Sequence, residues 1–93
     1  AISKQQFLTI LYRYGQMMEY DMSASNDLSM YLDRDTVSAY AREAMEWAVG
    51  AHILVEDKAL TPGMAAMRWQ VAEYLAAFCQ TVADTAVTAE TAA

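Results

Sequence analysis

The stretch at residues 37–55, VSAYAREAMEWAVGAHILV, carries the clearest helical period in the chain and decides the fold class. Apolar and small residues recur along it at a spacing that places them on one continuous helix face. They are Val37, Tyr40, Ala41, Ala44, Ala48 and Ala51. Arg42 and Glu43 fall largely off this face, whereas Trp47 widens the apolar stripe. The pattern therefore predicts a central helix that is covered from two directions and that ends near Gly50.

Amphipathic segments flank this stretch on both sides, and three helices are the simplest layout that buries all the apolar stripes. The first helix is predicted over Ile2 to Glu19, because Ser3 and Gln6 have the spacing of a capping box. Its predicted buried stripe is Phe7, Ile10, Leu11, Tyr14, Met17 and Met18. We therefore expect an all-α domain of three main helices with long loop connectors.

The third helix is predicted to begin with Thr61 as N-cap and Pro62 at the first helical position, and to run to about Gln80. Its predicted inward residues are Met67, Val71, Tyr74, Leu75 and Phe78. Residues 81–93 form an Ala/Thr-rich tail, expected to be frayed or extended helix without chemistry. The predicted organisation is a helical domain over 1–80 followed by this tail.

The connector at residues 20–36, YDMSASNDLSMYLDRDT, is polar and has turn chemistry throughout. A connector of this length is unusual in a compact domain and is often functional. Leu28, Tyr31 and Leu32 are expected to hold it against the core.

The composition limits the kinds of protein to which this chain can belong. A chain of 93 residues makes one domain at most, and 56% hydrophobic residues supply a core. A net charge of −6 argues against nucleic acid as a partner, because phosphate binding needs a basic surface. No apolar run approaches the roughly 20 residues of a membrane span. The absence of a signal peptide predicts a cytosolic chain, or a mature or excised piece of a longer one.

A weak internal repeat appears when residues 2–15 are laid on residues 66–79 at an offset of 64. The matched pairs are Lys4 with Arg68, Gln6 with Gln70, Phe7 with Val71, Leu11 with Leu75, and Tyr14 with Phe78. Chance similarity between two amphipathic helices is an alternative explanation, and the period is long for helical repeats.

Three segments together resemble the S-layer homology (SLH) module of bacterial cell-surface proteins. They are ISKQQFLTILYRYG at 2–15, YDMSASNDLSMYLDRDTVSAYAREAMEWAVGAHIL at 20–54 and LTPGMAAMRWQVAEYLAAFC at 60–79. The resemblance covers about one and a half repeats. It implies an all-helical prism, usually of three repeats, whose grooves bind a pyruvylated secondary cell-wall polysaccharide and hold the protein on the bacterial cell surface. With fewer repeats, the chain is a fragment, a reduced variant, or a unit that copies complete by forming a homo-oligomer.

The resemblance also implies binding residues. It places the motif's arginine at Lys4 and Arg68, its acid or amide at Gln6 and Gln70, and the central tryptophan at Trp47. Chemistry supports the two cations, because a pyruvyl carboxylate accepts hydrogen bonds from a cation at a helix N-terminus. A solvated surface base is the alternative for both.

Two tryptophans are candidate sugar platforms, because an aromatic face suits the apolar face of a pyranose. For Trp47 the alternative is a core residue of the central helix, and for Trp69 it is burial. The seven methionines are predicted to fill gaps in the core rather than to form an adaptable interface, and Cys79 to be a small core residue. His52 is expected at the surface or in the core, without a ligand role.

The sequence contains no convincing catalytic, cofactor or metal motif. An EF-hand beginning at Asp21 fails because Leu32 occupies its twelfth position. Glu43 and Glu46 lack a His or Cys partner for a metal ion. We therefore predict a non-catalytic anchoring module that binds anionic wall polysaccharide. The rivals are a degenerate protein–protein or self-association module and a cytosolic helical adaptor.

Overall fold

The computed structural model describes residues 2–55 and 59–92, with side chains described as far as residue 83. The fold is all-α, as the sequence predicts. Its helices are α1 (Lys4–Met17), α2 (Arg42–Gly50) and α3 (Arg68–Ala92), with single 3₁₀ turns at Arg34–Thr36 and Ala39–Ala41. Strand-like pairing within the described ranges is confined to one isolated bridge between Ser3 and Ala65.

The predicted capping box at the start of α1 is confirmed. The Ser3 hydroxyl accepts from the Gln6 N–H at 3.2 Å, and the Gln6 Oε1 accepts from the Ser3 N–H at 2.9 Å. Local side-chain chemistry therefore sets where this helix begins.

The predicted buried stripe of α1 is largely wrong. The buried residues are Lys4, Gln5, Leu8, Thr9, Leu11 and Gly15, whereas Ile10, Tyr14, Met17 and Met18 are exposed. The physical reason is that Ser38, ahead of α2, and the loop at residues 60–61 supply hydrogen-bonding partners for Gln5 and Lys4 of this helix. Because those polar groups are paired, their burial costs little and the helix can turn this face inward.

The central helix is shorter than predicted, and a paired contact with α1 explains its late start. The Ser38 N–H donates to Gln5 Oε1 at 2.9 Å, and Gln5 Nε2 donates to the Ser38 hydroxyl at 3.1 Å. These bonds hold Ser38 in an extended conformation, so only a 3₁₀ turn precedes α2. The predicted end near Gly50 is confirmed.

Both α1 and α2 end in a Schellman motif with a non-glycine residue in the left-handed region. Glu19 has φ 60° and His52 has φ 61°. The Tyr20 N–H donates back to Gly15 at 3.0 Å, and the Ile53 N–H donates to Ala48 at 2.9 Å. Glycine normally occupies this position, so each helix end carries some backbone strain.

The predicted start of the third helix at Thr61 and Pro62 is wrong. Residues 60–66 instead run alongside the start of α1. The Lys4 N–H donates to Met64 at 2.9 Å and the Gln5 N–H donates to Pro62 at 3.0 Å. These carbonyls satisfy the first N–H groups of α1, which a helix over the same residues would not do. Helix α3 passes the predicted end near residue 80 and runs to Ala92.

Aromatic contacts attach α3 to the rest of the core. The Phe78 ring lies 5.9 Å from Trp47 and 6.1 Å from Tyr20, and the Tyr74 ring lies 6.1 Å from Phe7, all measured between ring centroids. Tyr74 and Phe78 are buried as predicted. The predicted burial of Met67 and Leu75 is wrong, because both are exposed.

The structure also tests the predictions for the connector at residues 20–36, for Cys79 and for the methionines. Leu28 and Tyr31 are buried as predicted, but Leu32 is 82% exposed. Cys79 is exposed rather than in the core. The prediction of a methionine-filled core is wrong for five of the seven methionines, since Met17, Met18, Met30, Met64 and Met67 are exposed, whereas Met45 is buried in the core. In the described part of the chain, no helix is both long enough and apolar enough to cross a membrane.

Candidate functional site

A cleft of about 330 Å³ lies between the first half of α3 and the segment that follows α2. Its lining includes Lys4, His52, Trp69, Gln70, Glu73 and Tyr74. The cleft therefore brings together three of the predicted binding residues, namely Lys4, Trp69 and Gln70. Its volume lies at the small end of the range that ligand-binding clefts occupy.

Trp69 and Gln70 give this cleft an open aromatic surface and a polar donor. Trp69 is 61% exposed at the second residue of α3. The Gln70 Oε1 accepts from the Met67 N–H at 2.8 Å, which leaves the Gln70 amide N–H groups for a ligand oxygen. An exposed indole beside an amide donor is suited to a ring that has one apolar face and several hydroxyls.

Arg68 lies beside the cleft rather than in its lining. It is exposed at the first residue of α3, and it makes no hydrogen bond or ion pair within the part of the chain that the structure describes. Met67 has no side-chain oxygen to cap the helix, unlike Ser3 on α1. The first N–H groups of α3 are therefore available to an anion or hydroxyl, and the helix dipole favours negative charge there.

Lys4 has a structural role in the floor of the cleft. Its side chain is 4% exposed, and its Nζ donates to the Leu60 carbonyl at 3.2 Å and to the Thr61 hydroxyl at 2.7 Å. The prediction that the Lys4 ammonium group contacts a ligand carboxylate is therefore corrected. Its ammonium group holds the loop at residues 60–61, although the residue does lie in the first turn of α1 as predicted.

Asp33 holds the same loop from the other side. Its two carboxylate oxygens accept from the Leu60 N–H at 2.8 Å and the Thr61 N–H at 2.7 Å. Burial raises the pKa of Asp33, but these two hydrogen bonds and the positive charge of Lys4 outweigh it and hold that pKa below its usual value. Thr61 has φ 44°, a strained value for a β-branched residue. Lys4 and Asp33 together compensate for that strain.

Trp47 belongs to the core and not to the site. It is 2% exposed, and its ring lies 5.4 Å from Tyr12 and 5.9 Å from Phe78 between centroids. The prediction of a sugar platform at Trp47 is therefore wrong, and the alternative of a core tryptophan is confirmed.

Sequence reasoning missed His52 and Glu73 as residues of the cleft. His52 lies there because the Schellman motif that ends α2 turns the chain back toward α3. Gly50 signals that α2 ends nearby, but nothing local in the sequence indicates that this end meets α3. Among the described residues, no group of three His, Cys, Asp or Glu side chains could hold a metal ion.

No protein-family model, curated protein or solved structure matches this chain. The resemblance to SLH modules therefore rests on the three sequence segments that carry it.

Proposed function

We propose that this chain is a non-catalytic module that binds an anionic cell-wall polysaccharide and so anchors its protein on the bacterial cell surface. The observation that carries the proposal is the cleft where Trp69 stands exposed beside the amide of Gln70. The resemblance to SLH modules supports the same class of ligand, since their grooves bind a pyruvylated glycan.

Each group has a distinct role in this proposal. The Trp69 ring stacks on the apolar face of a sugar, while the Gln70 amide donates to a hydroxyl. Arg68 and the first N–H groups of α3 bind the carboxylate. The carboxylate lies at the helix end rather than in the cleft, because Glu73 lines the cleft and would repel it.

Co-sedimentation with purified Gram-positive cell-wall sacculi tests the proposal. The native chain is expected to sediment with the walls and to stay in solution once the secondary polymer is stripped off. Trp69→Ala is expected to weaken binding about tenfold, because loss of an aromatic contact costs about 1 kcal/mol and more is lost with its apolar area. Binding to intact walls is measured over a range of wall concentrations.

Arg68→Ala is compared with a matched control, Arg42→Ala. Both arginines are exposed at the first residue of their helices, α3 and α2 respectively, so each variant removes one positive charge from a helix N-terminus. Arg68→Ala is expected to weaken binding while Arg42→Ala is not. Equal losses in both variants, or a folded native chain that binds no wall preparation, would contradict the proposal.

A second candidate function, association with another copy of the chain, has its own supporting observation. An apolar groove of about 340 Å³ runs between α1 and α3, lined by Phe7, Ile10, Leu11, Tyr14, Leu75 and Phe78 together with Cys79. Ile10 is 58% exposed and Leu75 is 43% exposed in this groove. Contiguous apolar surface of this kind often marks a protein–protein contact.

Sedimentation equilibrium of the native chain and of Leu75→Gln tests this second function. If the groove is a self-association surface, the native chain forms dimers at micromolar concentration. Leu75→Gln then raises the dimer dissociation constant about tenfold, since burying part of a leucine contributes about 1.4 kcal/mol. Leu32→Gln, at a residue that is 82% exposed and outside the groove, is the control and should leave the dimer unchanged. A native chain that stays monomeric would exclude self-association.

A further inference from the structure

A second groove, of about 470 Å³, lies against the first half of α1. It is lined by Ile2, Gln6, Thr9, Ile10, Arg13 and Tyr40. Tyr40 comes from the turn that enters α2, so this groove and the cleft on α3 lie at opposite ends of α2. The α1 groove is distinct from the cleft, because the two share no lining residue.

The helix residues of the α1 groove occupy the same helical positions as those of the cleft. Helices α1 and α3 begin at Lys4 and Arg68, an offset of 64 residues. At that offset the lining residues correspond as Gln6 with Gln70, Thr9 with Glu73, Ile10 with Tyr74, and Arg13 with Ala77. At this offset, four of the five α3 residues that line the cleft therefore have a counterpart in the α1 groove.

Both grooves present a glutamine amide and an aromatic ring. The Gln6 Oε1 accepts from the Ser3 N–H at 2.9 Å, as Gln70 does from Met67, so the amide N–H groups of Gln6 remain for a ligand. The Tyr40 ring is 51% exposed and is the aromatic ring of this groove, although it comes from a different element than Trp69 does in the cleft. The α1 groove thus has the two features that suit a sugar ring.

The two grooves differ in charge at corresponding helix positions. Thr9 stands where the cleft has Glu73, and Arg13 stands where it has Ala77. Arg13 is the one formally charged residue in the lining of the α1 groove. It is exposed and makes no hydrogen bond or ion pair with any part of the chain that the structure describes. Its planar guanidinium group can therefore take a carboxylate through two parallel hydrogen bonds.

We propose that the α1 groove is a second saccharide-binding site, one that takes a carboxylated sugar unit. Arg13 binds the carboxylate, Tyr40 stacks on the ring, and the Gln6 amide donates to a hydroxyl. The identity of the ligand as a saccharide rests on the proposed function. A polymer with repeated acidic units can then occupy the cleft and the α1 groove together, which raises its apparent affinity without any new contact.

An NMR titration tests this site with a matched pair of small probes, methyl β-D-glucuronide and methyl β-D-glucoside. The glucuronide is expected to shift the backbone amide signals of Gln6, Ile10, Arg13 and Tyr40. Arg13→Gln is expected to weaken glucuronide binding at least about tenfold, because hydrogen bonds to a charged group contribute more than 1.4 kcal/mol. The same variant should leave the weaker binding of the uncharged glucoside unchanged.

Two further variants keep the result interpretable. Arg42→Gln removes an exposed arginine outside the groove and should bind the glucuronide as the native chain does. Arg13→Lys keeps the charge but loses the planar fork, and should bind with intermediate affinity. Retained signal dispersion in the amide spectrum shows that each variant is folded.

The proposal is overturned if the glucuronide shifts only signals of the α3 cleft, or none. It is also overturned if Arg13→Gln binds the glucuronide as tightly as the native chain. Failure of wall binding, with the α1 groove still binding glucuronide, would refute the anchoring function and support this site. If wall binding depends on Trp69 but Arg13→Gln does not weaken glucuronide binding, the anchoring function is supported and the second site in the α1 groove is refuted.

Discussion

Replacement of Asp33 by alanine is expected to lower the free energy of unfolding by about 2 kcal/mol. The carboxylate accepts two short backbone hydrogen bonds, from Leu60 and Thr61. Alanine leaves both N–H groups without their acceptor. Both bonds are partly buried and their acceptor is charged, so the loss lies near the middle of the range of about 1–3 kcal/mol for an unsatisfied donor.

The pH dependence of the free energy of unfolding distinguishes the contribution of the negative charge of Asp33 from that of its side-chain shape. Because the pKa of Asp33 is lowered in the folded state, its stabilising contribution is fully present above the unfolded value of about 3.9. That contribution is lost as the pH falls through the lower, folded-state pKa. Urea unfolding of native chain and Asp33→Asn should therefore differ at pH 7 and converge as the solution becomes strongly acidic.

Asp35→Ala is the control for both measurements, since Asp35 is exposed two residues away in the same 3₁₀ turn region. It should change stability by no more than a few tenths of a kcal/mol, as surface substitutions usually do. If Asp33→Ala were as stable as Asp35→Ala at pH 7, the loop at 60–61 would not depend on this carboxylate.

Replacement of Gly50 by alanine is expected to destabilise the protein by about 2–4 kcal/mol, although alanine is the better helix former by about 1 kcal/mol. A Cβ at Gly50 would lie 2.5 Å from the backbone N and C atoms of Ser25. The backbone there cannot move freely, because the neighbouring Asn26 N–H donates to the Glu46 carbonyl of α2 at 3.0 Å. Thermal or urea unfolding of the variant measures the loss.

The same substitution at the two other glycines provides matched controls. At Gly15 the added Cβ would meet only the end of the Met22 side chain, with Sδ and Cε at 2.5 Å, and a methionine can change rotamer. At Gly63 nothing lies within 4 Å of the added atom. Gly15→Ala and Gly63→Ala are therefore expected to lie within about 1 kcal/mol of the native chain. A Gly50→Ala variant that resembles them would contradict the close approach of the connector to α2.

The sequence predicts the start of α1 well and the start of α3 badly, and the difference is physical. Ser3 and Gln6 satisfy each other within one helical turn, so their signal is complete in four adjacent residues. Thr61 and Pro62 carry an equally good local signal for a helix start. They adopt another structure because their backbone groups bond to Asp33 and to α1, which lie far away in the chain.

The candidate site shows the same difference between features that local sequence predicts and features that depend on distant contacts. Arg68 comes from the resemblance and Trp69 from the suitability of an aromatic face for a sugar ring, and the structure places Trp69 in the cleft and Arg68 beside it. The α1 groove could not be found in this way, because Tyr40 and Arg13 come from separate elements and their spacing carries no recognised motif.

The sequence by itself determined the all-α class, the capping of α1 and the end of α2 near Gly50. These features depend on residue propensities and on hydrogen bonds between neighbours in the chain. The tertiary structure alone decided which face of α1 is buried, that the Lys4 ammonium group binds the loop at residues 60–61, and where the cleft lies. Those outcomes depend on partners such as Asp33 with Leu60 and Lys4 with Leu60, which are 27 and 56 residues apart. The spacing of residues along the chain does not indicate which distant backbone groups will need a hydrogen-bonding partner.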